Sequence, residues 1–299
     1  MTAPVTRASR PRRSVLYMPG SNTRALEKAG GLPCDGIIMD LEDAVAPEAK
    51  AAAREQVVAA VQAGARNHSW GHREIVIRIN GIYTDWGEDD LVAAATSGAE
   101  AICVPKIDTL AQLNKVADLM MIAGAPETQK IWVMAETPDA ILSINTIAGG
   151  EPRLEVIVMG TSDLGKALRL PADQGRIGLL SALSQCVLAA RCHGLDILDG
   201  VYGDLADVSG LRSACDQGKA LGFDGKTLIH PGQIETANEV FGVSAEEAAQ
   251  AREVIAAWEA AVEKGHGIAV VNGRMVEKLH ADEARRTLAL HAATGNSER

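Results

Sequence analysis

Charged side chains end several short apolar segments of this chain, and they are the first candidates for chemistry. Glu136 follows the run IWVMA, and Asp163 follows EVIVMGTS. Arg78 is the single cation inside the run IVIRIN. Because burying an unpaired charge is costly, strands that end in charges are expected to use them in a site. Further polar residues at such ends are Asp40, Glu42, Asp43, Asn80, Lys106, Asp199, Lys226 and His230.

Glu136 and Asp163 end two consecutive apolar runs, and this placement predicts a metal site. Neighbouring strands lie about 4.8 Å apart. Two carboxylates at that separation repel each other unless a cation lies between them or one holds a proton. Two oxygen ligands, with water and substrate completing six, are the usual way in which Mg²⁺ is held. The alternative to this Mg²⁺ site is that each carboxylate pairs with a lysine or arginine, such as Arg78.

The side chain of Arg78 and the turn at residues 160–163 are candidates for substrate binding. The planar guanidinium of Arg78 suits a carboxylate or a thioester-bearing substrate. The alternative is a structural role, in which Arg78 neutralises Glu42 or Asp43. The backbone amides of residues 160–163 could bind an anion if a helix begins there. The sequence has no GxSxG, Walker or GxGxxG motif, so the strand-end residues carry the functional prediction.

Eight apolar runs alternate with helical stretches, and this order predicts the scaffold. Most runs are almost continuously apolar, which is typical of strands buried on both faces. The order favours a (β/α)8 TIM barrel, an α/β fold that places function at the carboxyl ends of its strands. A doubly wound open sheet is the alternative. The predicted strands are 14–19, 36–43, 75–80, 101–107, 131–137, 155–163, 195–200 and 223–229. The predicted helices are 23–29, 47–63 (stopped by Gly64), 110–122, 139–147, 177–193 and 209–221.

The end of the chain has a different pattern. Ser244 and Glu247 have the spacing of a capping box that begins a helix. Asn272-Gly273 between two short apolar runs signals a hairpin, and a polar helix at about 281–293 follows. Three regions are predicted: a disordered tail at 1–12, a catalytic TIM barrel at 13–242, and a small C-terminal helix–hairpin–helix lid at 243–299.

The composition excludes several classes of protein. The 299 residues include 29 Lys and Arg against 39 Asp and Glu, a formal net charge of −10, and only 3% are aromatic. Both features argue against a nucleic-acid binder, which needs clustered cations and stacking platforms. No apolar run reaches the roughly 20 residues of a membrane helix. Five cysteines without a CxxC pair favour a reducing, cytoplasmic location.

Eight motifs, spread over roughly residues 12–290, match a known family. They are RSVLYMPGSNTRALEKA, DGIIMDLEDAV, VIRIN, VPKI, AET, MGTSDLG, GKTLIHPGQI and VVNGRMVEK. Together they resemble the citrate lyase beta-subunit-like family of the HpcH/HpaI aldolase superfamily, close to the malyl-CoA and citramalyl-CoA lyases. The resemblance implies a TIM barrel with a C-terminal lid. It also implies a homotrimer or homohexamer in which the lid is contributed across subunits.

The resemblance implies roles for individual residues. Glu136 and Asp163 would hold Mg²⁺, with Mn²⁺ also possible, and Arg78 would clamp a substrate oxygen. Glu42 and Asp43 would line the site and hold the arginine or the water around the metal. Arg24 and Lys28 are implied to contact the phosphates of coenzyme A. Gly160, Thr161 and Ser162, in the turn that could bind an anion, are also predicted to contact the substrate.

Glu277 departs from the family pattern. The stand-alone CoA lyases typically have Asp at this position of the lid, where it reaches a neighbouring subunit's site as the catalytic base. Glu keeps the carboxylate but adds a methylene, which changes its reach by about 1.5 Å. A misplacement on that scale can cost about 100-fold in rate. Glu277 therefore acts as base from a shifted backbone, serves a different substrate or is idle.

The activity implied by the resemblance is cleavage or formation of a carbon–carbon bond in a 3-hydroxy-3-carboxyacyl-CoA thioester, with Mg²⁺ as cofactor. Citramalyl-CoA or malyl-CoA would give acetyl-CoA and a 2-oxo acid, pyruvate or glyoxylate. Three alternatives stay open: a malyl-CoA thioesterase, a CoA-independent 2-oxo acid aldolase, and a carrier-protein-dependent citryl lyase subunit.

Overall fold

Within residues 10–171 and 176–297, which the computed structural model describes, eight parallel strands close into a barrel. Consecutive strands are neighbours, and β1 pairs with β8 to complete the ring. The expected (β/α)8 TIM barrel is therefore confirmed, and the open-sheet alternative is wrong. The strands are β1 Ser14–Pro19, β2 Gly36–Asp40, β3 Glu74–Arg78, β4 Ala101–Val104, β5 Lys130–Ala135, β6 Leu154–Met159, β7 Asp196–Asp199 and β8 Gly225–Leu228.

Helices follow the strands, and capping residues explain where several of them begin. The side chain of Asn22 accepts a hydrogen bond from the backbone of Ala25, and that of Thr137 accepts one from Ala140. Such a cap satisfies an amide that has no partner within its helix. None of the helices in the described ranges is long and apolar enough to cross a bilayer. The helices of the barrel are α1 Thr23–Ala29, α2 Lys50–Asn67, α3 Gly87–Ala95, α4 Leu110–Ile122, α5 Pro138–Gly150, α6 Thr161–Ala167, α7 Leu180–His193, α8 Val208–Leu221 and α9 Ile234–Phe241.

Alternate strand residues pack together in the core of the barrel. Successive side chains of a strand point to opposite faces. Asp40 and Arg78 share the alternation of the buried core residues on β2 and β3, and Glu136 shares that of β5. The apolar core therefore ends in charges at the carboxyl ends of these strands. The core residues are Val15, Ile38, Val76, Ala101, Cys103, Trp132, Met134, Val156, Val158 and Leu198.

Arg12 contacts the amino ends of three strands. Its side chain is 4% exposed and forms ion pairs with Glu74 and Glu155 at 2.7 Å and a further ion pair with Asp196. The guanidinium also lies 5.5 Å from the centre of the Trp132 ring. Residues 1–9 of the predicted tail lie outside the described residues. Arg12, at the end of that predicted tail, is a buried part of the barrel unit, because three carboxylates bind it there.

Residues 241–299 belong to a second compact unit, distinct from residues 12–240. Ser244 and Glu247 form the predicted reciprocal capping box. Asn272 and Gly273 both have positive φ, 48° and 76°, as a two-residue type I′ hairpin turn requires. The predicted helix–hairpin–helix is confirmed, with a last helix longer than expected. Its elements are α10 Ala245–Glu263, β9 Ala269–Val271, β10 Arg274–Val276 and α11 Lys278–Ser297.

The predicted end of the second helix at Gly64 is wrong. α2 runs on to Asn67, and His68, with φ 57°, ends it in the left-handed conformation. A β-carbon at position 64 would lie 2.1 Å from the indole of Trp70. The glycine at this position therefore serves the close packing of an aromatic ring.

The boundaries after the sixth predicted strand also differ. β6 ends at Met159, and Asp163 lies in the first turn of α6 rather than at a strand end. Helices α3, α6 and α9 were not among the predicted helices. Each is short, at 9, 7 and 8 residues, so its apolar periodicity covers few turns.

Candidate active site

Arg78 is surrounded by acids at the carboxyl end of β3. Its Nε and Nη2 atoms each donate to Asp40 at 2.7 Å. Its Nη1 lies 2.9 Å from Oε2 of Glu42 and 3.6 Å from Asp43, and the Tyr17 ring centre lies 4.7 Å from the guanidinium carbon. The neutralising role predicted as the alternative for Arg78 is thus present in the structure. Its role as a substrate clamp stays a prediction.

Asp40 organises both the arginine and the loop that follows β2. It is 1% exposed and, besides Arg78, accepts hydrogen bonds from the backbone N–H groups of Glu42 at 2.9 Å and Ala44 at 3.0 Å. Four N–H groups therefore donate to one carboxylate. Because one of them is the backbone N–H of Glu42, this bond fixes the point from which the Glu42 side chain extends. Asp43, by contrast, is exposed at the edge of this cluster.

Glu136 is the most buried acid of the predicted metal pair. It follows β5 directly, is 3% exposed and accepts a 2.9 Å hydrogen bond from the backbone N–H of Lys106. A β-carbon on Gly160 would lie 2.3 Å from the β-carbon of Glu136 and 2.6 Å from its Oε2. The absence of a side chain at position 160 therefore makes room for this carboxylate. Gly160 also caps α6 at its amino end, so a helix does begin at this turn.

Negative charge at the site is only partly compensated. The pKa of Glu136 is raised to about 7, mainly by burial and also by the charges of Glu42 and Asp163, while Lys106 lowers it. Burial is also the main cause that raises the pKa of Glu42, against the lowering effect of Arg78. An additional cation near these carboxylates would favour their ionised forms.

Lys106 lies between three acids and was not among the predicted site residues. Its Nζ donates to Oε1 of Glu42 at 2.9 Å and lies 3.7 Å from Oδ2 of Asp163. Asp163 is half-exposed in the first turn of α6. The alternative of pairing with a lysine or arginine is thus partly realised for Asp163.

The donor set fits a cation that is held by oxygen atoms and water. Among residues 10–171 and 176–297, no three His, Cys, Asp or Glu side chains are arranged to hold a metal. Glu136 and Asp163 offer two carboxylates, and the lack of a side chain at Gly160 leaves room for the first of them. Mg²⁺ typically takes one or two protein carboxylates and keeps several waters, so the pair fits this ion. It does not fit a closed zinc cage.

The predicted phosphate-binding residues lie at the surface. Arg24 and Lys28 are exposed, one turn apart on α1, which follows the carboxyl end of β1. Thr161 is half-buried, and a β-carbon on Gly200 would lie 2.3 Å from its Oγ1. Ser162 is exposed. Their contact with substrate or coenzyme A stays a prediction.

Glu277 belongs to the second unit and lies between β10 and α11. Its backbone N–H donates to Nδ1 of His280 at 3.0 Å, and its carbonyl accepts from the backbone N–H groups of His280 and Ala281. These bonds fix the start of α11. The side chain of Glu277 is half-buried, and its role as a base stays a prediction.

Two residues that organise the site were missed by sequence reasoning. The sequence marks both Asp40 and Lys106 as polar strand ends but indicates a role for neither. Asp40 could have been found by aligning the second and third predicted strands, because it then lies opposite Arg78. No local pattern identifies Lys106, since its partner Glu42 is 64 residues away along the chain.

Family comparison agrees with the fold and the motif order. Residues 13–231 match the HpcH/HpaI aldolase/citrate lyase family, and residues 184–295 match a family of carbon–carbon bond lyases of the TIM-barrel fold. The (3S)-malyl-CoA thioesterase of Cereibacter sphaeroides strain ATCC 17025 is 48% identical, over 93% of this chain and 94% of the relative. The L-malyl-CoA/beta-methylmalyl-CoA lyase of the same strain is 32% identical, over 90% and 91%.

A solved structure is also similar to this chain. It is the CitE protein of Mycobacterium tuberculosis in complex with magnesium, acetoacetate and coenzyme A, with a TM-score of 0.73 and 27% identity. The match covers 93% of this chain and 97% of that one. Barrel, motifs and relatives agree, and the chain belongs to the HpcH/HpaI aldolase/citrate lyase family, a family of carbon–carbon lyase enzymes.

Proposed function

We propose that this chain is a Mg²⁺-dependent enzyme that acts on CoA thioesters of the malyl type. Such a substrate is a 3-hydroxyacyl thioester whose hydroxyl carbon also bears a carboxylate. One observation carries the proposal: the chain is 48% identical, over 93% of its length, to a (3S)-malyl-CoA thioesterase. Glu136 and Asp163, which both contact Lys106, agree with it as a candidate ligand pair, as do the magnesium and coenzyme A in the CitE complex.

Each residue of the site has a distinct task in this proposal. Glu136 and Asp163 would hold Mg²⁺ or Mn²⁺, which when bound supplies Lewis-acid polarisation and a template for a hydroxyl and a carboxylate. Arg78, oriented by Asp40, would stabilise negative charge that develops on a substrate oxygen. Glu42 and Asp43 would keep that arginine in place.

The coenzyme A part of the substrate would bind outside this centre. Arg24 and Lys28 carry positive charge on an exposed helix face that follows β1, which suits phosphate groups. Gly160, Thr161 and Ser162 open α6 and would contact the acyl part of the substrate through backbone and hydroxyl groups. Both segments follow the carboxyl end of a barrel strand, β1 or β6, which supports this arrangement.

Hydrolysis of the thioester is the net reaction that we expect. Water adds to the thioester carbonyl, the carbon–sulfur bond breaks, and malate and the CoA thiol are released. The difference between 48% identity to the thioesterase and 32% identity to the lyase favours this reaction. CoA lyases typically have Asp where this chain has Glu277, which agrees with a site adapted to a reaction other than carbon–carbon cleavage.

Carbon–carbon cleavage is the second candidate, and the family itself favours it. A base, which would be Glu277, takes the hydroxyl proton, the bond between the hydroxyl carbon and its methylene neighbour breaks, and the acetyl-CoA carbon takes up a proton. Malyl-CoA then gives acetyl-CoA and glyoxylate, and citramalyl-CoA gives acetyl-CoA and pyruvate. The same carboxylates and the same arginine would serve both reactions.

Product analysis tests the proposal and separates its two forms. The full chain is incubated with (3S)-malyl-CoA or citramalyl-CoA and Mg²⁺, and CoA, acetyl-CoA, malate and 2-oxo acid are quantified. Malate with free CoA supports hydrolysis, and acetyl-CoA with glyoxylate or pyruvate supports cleavage. No turnover of either thioester, with turnover of a free 2-oxo acid aldol or only of a carrier-protein thioester, overturns the proposal.

We further propose that the active form is a homotrimer or homohexamer with the 243–299 lid contributed across subunits. Once Glu136→Gln and Glu277→Gln have each been found inactive alone, the test mixes the two chains under conditions that exchange subunits. If the lid crosses between subunits, some mixed sites carry neither change and activity returns. If each subunit supplies its own lid, the mixture stays as inactive as its components.

A further inference from the structure

Lys106 contacts three acids, which follow three different strands of the barrel. Its Nζ donates to Oε1 of Glu42 at 2.9 Å and lies 3.7 Å from Oδ2 of Asp163. Its backbone N–H donates to Oε1 of Glu136 at 2.9 Å. One residue therefore contacts both proposed metal ligands and a third carboxylate that is not proposed as a ligand.

The backbone at Lys106 is held in an uncommon conformation. Its φ is 56°, a left-handed value that only four non-glycine residues of the described chain adopt. The residues that follow fix this geometry, because Ile107 is buried and the N–H groups of Asp108 and Thr109 both donate to Oε1 of Gln112. Unfavourable backbone that is held by its surroundings is commonly found at functional sites.

Glu42 is the carboxylate that this arrangement restrains. It is 8% exposed, with Oε1 bound to Lys106 and Oε2 lying 2.9 Å from Nη1 of Arg78. Among the described residues, no group forms a hydrogen bond to Oε2, and the contact with Arg78 is an ion pair. The hydrogen bond from Lys106 is therefore the one hydrogen bond that this carboxylate accepts. Without Lys106, the Glu42 carboxylate would be held through Arg78 alone.

A third carboxylate would change what the metal site can do. Mg²⁺ with two protein carboxylates keeps positions for water and substrate, whereas additional carboxylates raise affinity and suit Ca²⁺, which accepts six to eight oxygen ligands. A site that must bind a hydroxyl and a carboxylate of its substrate needs those positions open. Glu42 and the proposed ligand Asp163 both lie against the same Lys106 Nζ, at 2.9 and 3.7 Å, so Glu42 is the acid near enough to compete.

We propose that Lys106 is a positioning residue that keeps Glu42 out of the coordination sphere and so preserves a two-carboxylate site on Glu136 and Asp163. The ammonium group binds the third acid, while the backbone N–H of the same residue holds the first ligand. This inference rests on the proposed function. The competing explanation is that the ammonium group only repels a divalent cation.

A double-mutant cycle on metal binding distinguishes the two explanations. Mn²⁺ affinity is measured on the purified full chain without substrate, from the electron paramagnetic resonance signal of free Mn²⁺. Lys106→Met removes the ammonium group and retains the stem and the N–H. If Lys106 restrains Glu42, Lys106→Met tightens Mn²⁺ binding about tenfold in the wild-type background but only about twofold in a Glu42→Gln background. If it only repels the metal, both backgrounds tighten equally, which overturns the inference.

Further measurements keep the inference falsifiable. Lys106→Met should also bind Ca²⁺ more tightly relative to Mn²⁺ and turn over substrate more slowly, and Lys106→Arg should retain wild-type binding. Lys106→Gln serves as the second charge-free variant if Lys106→Met does not fold by thermal melting. Weaker Mn²⁺ binding by a folded charge-free variant would contradict the inference alone. Absence of Mn²⁺ binding by the wild-type chain would overturn it together with the proposed function.

Discussion

Asp40 and Arg78 are partners in the register of β2 and β3, and their side chains form an ion pair with two hydrogen bonds of 2.7 Å each. Arg78 is 7% exposed and Asp40 is 1% exposed, so little water shares the interaction. The pair fixes the plane of the guanidinium at the carboxyl end of the barrel. Adjacent strand positions thus preorganise a cation before any substrate binds.

Removal of the Asp40 charge is expected to be strongly destabilising. Asp40→Asn leaves Arg78 buried without its two-point partner, and breaking a buried ion pair in this way costs about 3–5 kcal/mol. The free energy of unfolding from urea titration measures the change. Asp43→Asn, at an exposed position beside the same arginine, is the matched control and should cost less than about 1 kcal/mol. Equal losses for the two variants would contradict the assignment.

Glu136 is expected to lower the stability of the metal-free chain at high pH. Its pKa in the folded chain is about 7, above its ordinary value of 4.5, so ionisation opposes folding. The stability that goes with the protonated form is fully present below pH 4.5 and is lost as pH rises through 7. Glu136→Gln should therefore stabilise the chain by up to about 3 kcal/mol at pH 8.5 and very little at pH 4.5.

Thermal melting with a metal chelator across this pH range measures the effect of Glu136→Gln. Addition of Mg²⁺ at pH 8.5 should stabilise the wild-type chain and leave the variant unchanged, since the variant lacks one proposed ligand. A pH-independent difference between the two chains would show that the carboxylate is not buried as described.

Gly160→Ala is expected to impair the site through a single methyl group. The added β-carbon would lie 2.3 Å from that of Glu136, so the carboxylate must move. We expect a loss of about 1–3 kcal/mol in stability and at least about tenfold in activity. Gly165→Ala on the same helix is the control, since nothing lies within 4 Å of its new β-carbon. Similar activity of both variants would exclude the predicted displacement.

Arg12 is expected to stabilise the barrel from its amino end. Arg12→Met leaves Glu74, Glu155 and Asp196 without their common cation, which should cost about 3–5 kcal/mol. Chemical denaturation followed by circular dichroism measures it. Arg212→Met, which removes an exposed ion pair with Glu239, is the control and should leave the unfolding midpoint unchanged. A tolerated Arg12→Met would mean that the chain before β1 contributes little to the barrel.

Much of the fold could be predicted because its signals are local. The run SVLYMP predicts β1 with its exact bounds, and LAQLNKVADLMMI predicts α4 with its exact bounds. Continuous apolar runs, helix caps and an Asn-Gly turn act within a few residues of each other. Local signals fail at Gly64, where packing against the Trp70 ring, and not the end of a helix, decides the residue type.

The candidate site was predicted less completely, for a reason of distance along the chain. Residue types and strand ends identified Glu136, Arg78 and Glu42 as candidates, and the motifs connected them to a family. They could not show that Asp40 binds Arg78 or that a left-handed Lys106 reaches Glu42, since these contacts join positions 38 and 64 residues apart.

The sequence by itself determined which residues are apolar, where the strands and most helices form, and which charges follow the strands. Only the tertiary structure decided which charges meet. Closure of eight strands brings their carboxyl ends together, and the register of neighbouring strands selects the partners. Burial at that end then raises the pKa of Glu136, because desolvation depends on atoms supplied by the whole barrel and not on the residues next to it in sequence.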